Sequence, residues 1–278
     1  MAKNNRAEAI FSQISLFFFV ILALLWLVPF VWIALSSFKT FQETVRLPVA
    51  ILPEGFYAGN FVELLGRMSF LDYYRNTLVV TVGVLVPQLF LSAMAAYGFA
   101  RLEFPFKNAI FMSLFIALMV PIQMTLVPRY NMMIGLGWVN SFLGVIVPSI
   151  PSITVTFLLR QQIMSLPKSL DESARMDGAN HWVIFLYIIL PLCRATLVAT
   201  GLMCLVFAWN LFLWPLIVLQ NPSMYTLSIG IANLQGQFAV RENLLMTAAL
   251  LASLPVVVVF VFTQKFFVRG VAMTGIKE

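Results

Sequence analysis

Glu172-Ser173-Ala174-Arg175-Met176-Asp177-Gly178-Ala179 is a charged stretch ending in a glycine corner, set inside a chain that is otherwise mostly apolar. The chemistry it can do is recognition. A short polar helix between two apolar segments offers carboxylates and a guanidinium to a partner in water. Bond-making chemistry lacks its residues. His181 is the only histidine, and Cys193 and Cys204 are the only cysteines. No Ser/His/Asp or Cys/His set can be assembled from them. No Cys/His/carboxylate cluster accompanies His181, so no metal site is expected. No G-x-x-x-x-G-K-[ST] run occurs, so the chain is not expected to hydrolyse a nucleotide itself. The two cysteines sit eleven positions apart on one predicted helix. At ~1.5 Å rise per residue they are too far apart for a disulfide and read as small apolar fillers.

The elements around the polar stretch follow from its spacing. Ser165 is placed as an N-cap, with Pro167 in the first turn. Leu166, Leu170 and Ala174 recur at i, i+4 and i+8 as a narrow apolar stripe, with Lys168, Asp171, Glu172 and Arg175 on the other faces. Asp171 and Arg175 form an i, i+4 pair of the favoured order. Gly178 ends this helix by taking a positive φ, and Asn180 caps the next. The run Val183–Cys193 is too short to cross a bilayer and reads as an interfacial helix bent near Pro191. A plain amphipathic surface helix would show the same periodicity.

Composition sets the environment. The chain is 61% apolar and 10% charged, against about 25% charged in soluble domains, which makes it a polytopic membrane protein. Its +6 charge is scattered at the ends of apolar runs, with no basic groove or aromatic platform, so nucleic acid is not an expected partner. Six stretches have the ~20 apolar residues that a 30 Å hydrocarbon core demands: about 14–36, 76–99, 108–127, 142–159, 195–218 and 244–264. The first follows Lys3 and Arg6 but is too long for a signal peptide and lacks a small-x-small cleavage site, so it reads as an uncleaved anchor. The fold class is all-α, one domain over 1–278, with short cytoplasmic helices at about 165–193. Eleven Lys and Arg, among them Lys107, Arg160, Arg175 and Lys265, fall on the side of the termini, against six opposite. The positive-inside rule puts both termini in the cytoplasm.

Polar residues inside spans are the next candidates. Gln88, Gln123, Asn131, Trp209 and Asn210 lie in or near them. A buried amide costs free energy unless it finds a partner or water. These residues therefore either line a pathway or join helices by hydrogen bonds. The spans as drawn contain no charged side chain. Prolines at 29, 87, 121, 128, 148, 151 and 255 can bend helices, as transporters require and membrane proteins commonly tolerate. Of the outer segments, 37–75 holds a short predicted helix at Phe61–Met68. Segment 219–243 carries Gln235, Gly236 and Gln237, which read either as a contact for an external partner or as plain loop surface.

The order of types in Glu172–Ala179, followed by Phe185, Ile188, Pro191 and Leu192, resembles the EAA loop of permease subunits from binding-protein-dependent ABC importers. The likeness is strongest to the branch of the maltose transporter's smaller permease and runs over almost the whole chain. It includes Phe38-Lys39, Asn60, Tyr74-Arg75-Asn76-Thr77-Leu78, Ala95–Arg101, Pro128-Arg129-Tyr130, Trp209-Asn210 and Gln264-Lys265. Ser173 stands where the family usually has alanine, and Glu278 where its tail usually has glycine. The resemblance implies a type I importer fold, a second homologous permease, two ATP-binding cassette ATPases and an extracytoplasmic solute-binding protein. In that arrangement Glu172, Ser173, Ala174, Asp177, Gly178, Ala179 and Pro191 form the ATPase-coupling loop, and Gly275, Ile276 and Lys277 touch the ATPase pair. ATP and Mg belong to the partners, and no cofactor is assigned to this chain.

The leading expectation is a non-enzymatic permease in a bacterial or archaeal plasma membrane, moving a mono- or oligosaccharide. The same machinery importing glycerol phosphate or another polyol is the nearest alternative. A self-sufficient secondary carrier would want ionisable residues inside the spans, and an intramembrane enzyme would want a catalytic constellation.

Overall fold

The computed structural model describes residues 2–48, 50–237 and 241–274, with side chains except at 2–11, 235–237 and 265–274. Gly275, Ile276 and Lys277 lie outside the described residues, as do the side chains at Gln235, Gly236 and Gln237. Among the described residues the chain is helical with no strand. Its helices are α1 Ala2–Ser36, α2 Phe41–Val45, α3 Gly59–Arg67, α4 Phe70–Arg101, α5 Lys107–Leu118, α6 Leu126–Gly135, α7 Phe142–Ile146 and α8 Ile153–Ser165. They continue as α9 Ser169–Met176, α10 His181–Leu192, α11 Arg194–Trp209, α12 Leu213–Val218, α13 Leu227–Gln237 and α14 Glu242–Thr274.

Among the described residues, four helical stretches are long and apolar enough to cross a membrane, and six when each bent pair counts as one span. Proline decides where the bends fall. The third stretch, expected as one run over 108–127, is instead Lys107–Leu118 and Ile122–Gly135 at 94°. Pro121 stands at this break with ψ 132, because proline donates no backbone bond and pushes its predecessor out of the helical region. The fourth stretch, Phe142–Ser149 and Ile153–Ser165, bends by 42° beside Pro148 and Pro151. Pro29, Pro87 and Pro255 remain inside unbroken helices. The second span is longer than the sequence suggests, 70–101 instead of 76–99.

The chain's contacts gather in two compact units. The first comprises residues 1–68 and 231–253. A polar node holds it together. The Asn60 amide donates to Ser37 O and Lys39 O, both at 2.8 Å, and its carbonyl accepts from Asn243 Nδ2 at 2.7 Å. Lys39 is buried; its ammonium donates to Ala50 O at 2.6 Å and lies 4.2 Å from the centre of the Trp32 ring. Glu63 pairs with Arg67 at 2.6 Å and also with Arg241. Residues 16–31 of α1 are exposed all round, as suits an apolar helix whose surroundings are as apolar as itself.

The second unit, residues 69–230 and 254–278, is built around α4, which packs against α8 and α11. Its apolar core has two clusters. One holds Val80, Val84, Met133, Val145, Trp214 and Val218. The other holds Ala96, Tyr97, Leu159, Ile163, Ala174, Ile184, Phe185 and Ile189. This second cluster seats the short polar helices on the membrane-spanning core.

Candidate functional site

The loop expected to recognise a partner is the pair α9 and α10 with the turn between them. Its start differs from the sequence reading. Ser165 is no N-cap: α8 runs through it, and its hydroxyl donates to Gln162 O at 2.7 Å. Helix α9 begins later, after Lys168, with no side-chain cap. Asp171 and Glu172 in its first turn and Arg175 in its last match the helix dipole instead.

Gly178 has φ +84. Gly178 N donates to Arg175 O at 3.0 Å and Ala179 N to Ala174 O at 2.9 Å. This is the Schellman arrangement, which needs a left-handed residue in the place Gly178 holds. Asn180 then caps α10, its Oδ1 accepting from Val183 N at 3.0 Å, as its residue type predicts. Within α10, Ile184–Ile189 forms a π turn. The helix ends at Leu192, just after Pro191. It buries Ile184, Phe185 and Ile189 and leaves Trp182 and Tyr187 exposed, so its inner face packs on protein.

Exposure divides the candidate residues. Glu172, Ser173, Asp177, Gly178 and Pro191 are exposed, Ala179 is half-buried, and Met176 at the apex is 90% exposed. Ala174 turns inward into the core. The loop thus presents two carboxylates, Arg175 and an exposed methionine on a packed base.

Asp171 is the residue that sequence reasoning misplaced. Its expected partner was Arg175, one turn on. It is instead buried, with Oδ2 at 3.0 Å from Arg101 Nε of α4. The contact is an ion pair that falls short of hydrogen-bond geometry. Arg101 Nη2 also donates to Leu166 O at 3.0 Å. The available signal was the position of Asp171 beside the Leu166–Leu170–Ala174 stripe, where the start of the helix lies against the end of α4. Tyr97 and the Nδ1 of His181 share a hydrogen bond at 3.2 Å, which gives the lone histidine a partner in α4. Cys193, the hinge between α10 and α11, is free and buried. Burial pushes its thiol up to about 11, against the opposing pull of Arg101.

The pathway candidates scatter. Gln88 is buried, and its Oε1 has no partner among the described residues. Trp209 is buried against Tyr74, ring centres 5.5 Å apart. Gln123, Asn131 and Asn210 are exposed, and Asn210 Nδ2 donates to Val206 O at 2.8 Å. Among the described residues no hydrogen bond links Gln88, Gln123, Asn131 and Asn210 to one another. Nor do the described residues contain a metal-ligating cluster.

With this geometry in place, comparison with known proteins is informative. The model of the family described as "Binding-protein-dependent transport system inner membrane component" matches residues 88–273. The arabinooligosaccharides transport system permease protein AraQ of Bacillus subtilis is 34% identical over 280 residues, covering 100% of both chains. The sn-glycerol-3-phosphate transport system permease protein UgpE of Pectobacterium atrosepticum is 31% identical over 279 residues, covering 97% of this chain and 98% of that one. A crystal structure of a bacterial ABC transporter involved in the import of the acidic polysaccharide alginate contains a chain with TM-score 0.81 at 22% identity, covering 94% of this chain and 98% of its own. That likeness shows a shared fold.

Proposed function

The chain belongs to the family of binding-protein-dependent transport system inner membrane components, and from that membership we propose that it is the permease subunit of an ATP-driven sugar importer. It is a multi-pass membrane protein of a transport family. The observation that carries the coupling role is the exposed Glu172–Gly178 turn on its buried base. On this reading the turn inserts into a cleft on an ATPase subunit. Glu172 meets a cation there, Ser173 leaves room for close approach, and Gly178 makes the corner. Two ATPase subunits hydrolyse ATP with Mg, and their closure moves this loop together with that of a second permease. The membrane cavity between the permeases then changes the side to which it opens. An extracytoplasmic binding protein delivers the solute, and the 219–243 segment with Gln235, Gly236 and Gln237 faces it. The tail at Gly275, Ile276 and Lys277 is a further ATPase contact. The excess of Lys and Arg beside the loop puts it, and both termini, in the cytoplasm.

The full-length match to a permease for arabino-oligosaccharides supports an oligosaccharide as cargo. On this reading Gln88, Gln123, Asn131, Trp209 and Asn210 are the candidates to line the passage, and the exposure of Gln123, Asn131 and Asn210 supports those three. The full-length match to glycerol-phosphate permeases supports a second reading, a small phosphorylated polyol. The experiment that tests both co-expresses the chain with its genomic neighbours, purifies it by a tag and titrates the matching binding protein with arabinotriose and with sn-glycerol 3-phosphate. Recovery of an ATPase, a second permease and a sugar-binding partner is the expected result. A chain that purifies alone and transports solute unaided overturns the importer reading.

A further inference from the structure

The coupling role above uses the outer face of the loop; its inner face is tied to one helix. Arg101, in the last turn of α4, pairs with buried Asp171 of α9 at 3.0 Å and donates to Leu166 O at 3.0 Å just before that helix. One turn earlier, Tyr97 bonds His181 at the start of α10, and its ring centre lies 5.3 Å from that of Phe185. Tyr97 and Arg101 are four residues apart and share a face, so one face of α4 grips both helices of the loop.

The opposite end of α4 is clamped in the same way. Asn76 Nδ2 donates to Ser223 O at 2.9 Å and to Tyr225 O at 3.0 Å. Thr77 Oγ1 accepts from Leu227 N at 2.8 Å, the first residue of α13. Asn76 and Thr77 are both buried. From Thr77 to Arg101 the helix extends ~36 Å at 1.5 Å per residue. Between the clamps, Val80, Val84, Ala93 and Ala96 are buried.

We infer that α4 is the strut that makes the coupling loop and the outer 223–227 segment move together, with Arg101 and Asp171 as positioning residues at its inner end and Asn76 and Thr77 at its outer end. The inference rests on the coupling reading above. Physically, α9 cannot shift without Arg101, because separating a buried ion pair leaves an uncompensated charge. A helix packed at interior density transmits such a displacement instead of absorbing it.

The test uses the assembled transporter with an environment-sensitive maleimide on Pro222→Cys, an exposed position beside the outer clamp. The signal is the fluorescence change on adding Mg-ATP and vanadate, with ATP hydrolysis read in parallel. In the otherwise unaltered chain the outer label responds. In Thr77→Val, and in Asp171→Asn, the response falls by about tenfold, inside the ~5–150-fold span of typical coupling free energies, while the ATPase still co-purifies and hydrolyses ATP. Thr77 is far from the docking turn, so Thr77→Val decides the matter alone if Asp171→Asn does not assemble. A full response in Thr77→Val, or no response in the unaltered chain, overturns the strut. Failure of the unaltered chain to recover any ATPase is a different result, which overturns the coupling reading instead.

Discussion

Gly178 sets the shape of the turn between α9 and α10 by its backbone alone. A side chain there would meet nothing within 4 Å, so the cost of substitution is conformational and not steric. Gly178→Val forces a β-branched residue to φ +84, at about 1–3 kcal/mol. The expected outcome is lost solute uptake with normal membrane levels by immunoblot; near-normal uptake would sink the corner. The Glu172 side chain is exposed. If it meets a cation in a partner cleft, Glu172→Ala weakens association with the ATPase by about 2 kcal/mol or more, measurable as lost co-purification and lower stimulated hydrolysis. Unchanged recovery removes Glu172 as an anchor. Cys193 shows the chemical effect of burial. Only the thiolate reacts with maleimides, and a thiol raised to about 11 is about one part in a thousand thiolate at pH 8. The native protein should therefore resist labelling at Cys193 until the pH rises toward 11 or it is denatured. Rapid labelling at pH 8 in the folded complex contradicts that burial.

At the scale of elements, two kinds of order are visible. Helix α10 starts where Asn180 caps it and α9 stops where Gly178 allows it; both are local events written in residue types. The unit formed by 1–68 and 231–253 depends on a distant encounter instead. Asn60 and Asn243 meet through one hydrogen bond while Asn60 also holds two backbone carbonyls after α1. Replacing Asn60 by leucine leaves Asn243 and those carbonyls without their partner, at about 1–3 kcal/mol for each buried group left unsatisfied. The purified protein in detergent should melt several degrees lower by thermal-shift assay. An unchanged melting temperature shows that the node contributes nothing.

For the whole molecule, orientation is the property most open to direct test. Ser173 is exposed on α9, and both native cysteines are buried. If the loop faces the cytoplasm, as the distribution of Lys and Arg predicts, Ser173→Cys in intact cells should react with a membrane-impermeant maleimide only after permeabilisation. Labelling in intact cells reverses the topology and with it the docking reading. The exposed length of α1 belongs to this scale too, since a helix apolar all round is stable only against lipid or another apolar surface.

The sequence by itself determined the apolar surroundings, the helical class and the glycine turn that ends α9. Each of these depends on residue type and local spacing: apolar runs of membrane length, a glycine at a helix end, an asparagine before the next. Tertiary structure decided the partners of the charged and polar residues. Asp171 could pair with Arg175 on its own helix, yet Arg101 arrives from far along the chain and the pair is buried. Gln88 is enclosed by the packing around α4, which residue type alone does not foretell. Pro121 turns its helix by 94° while Pro87 leaves its own intact. Proline only removes a bond and a rotamer region; whether the helix then breaks depends on what the neighbouring helices supply.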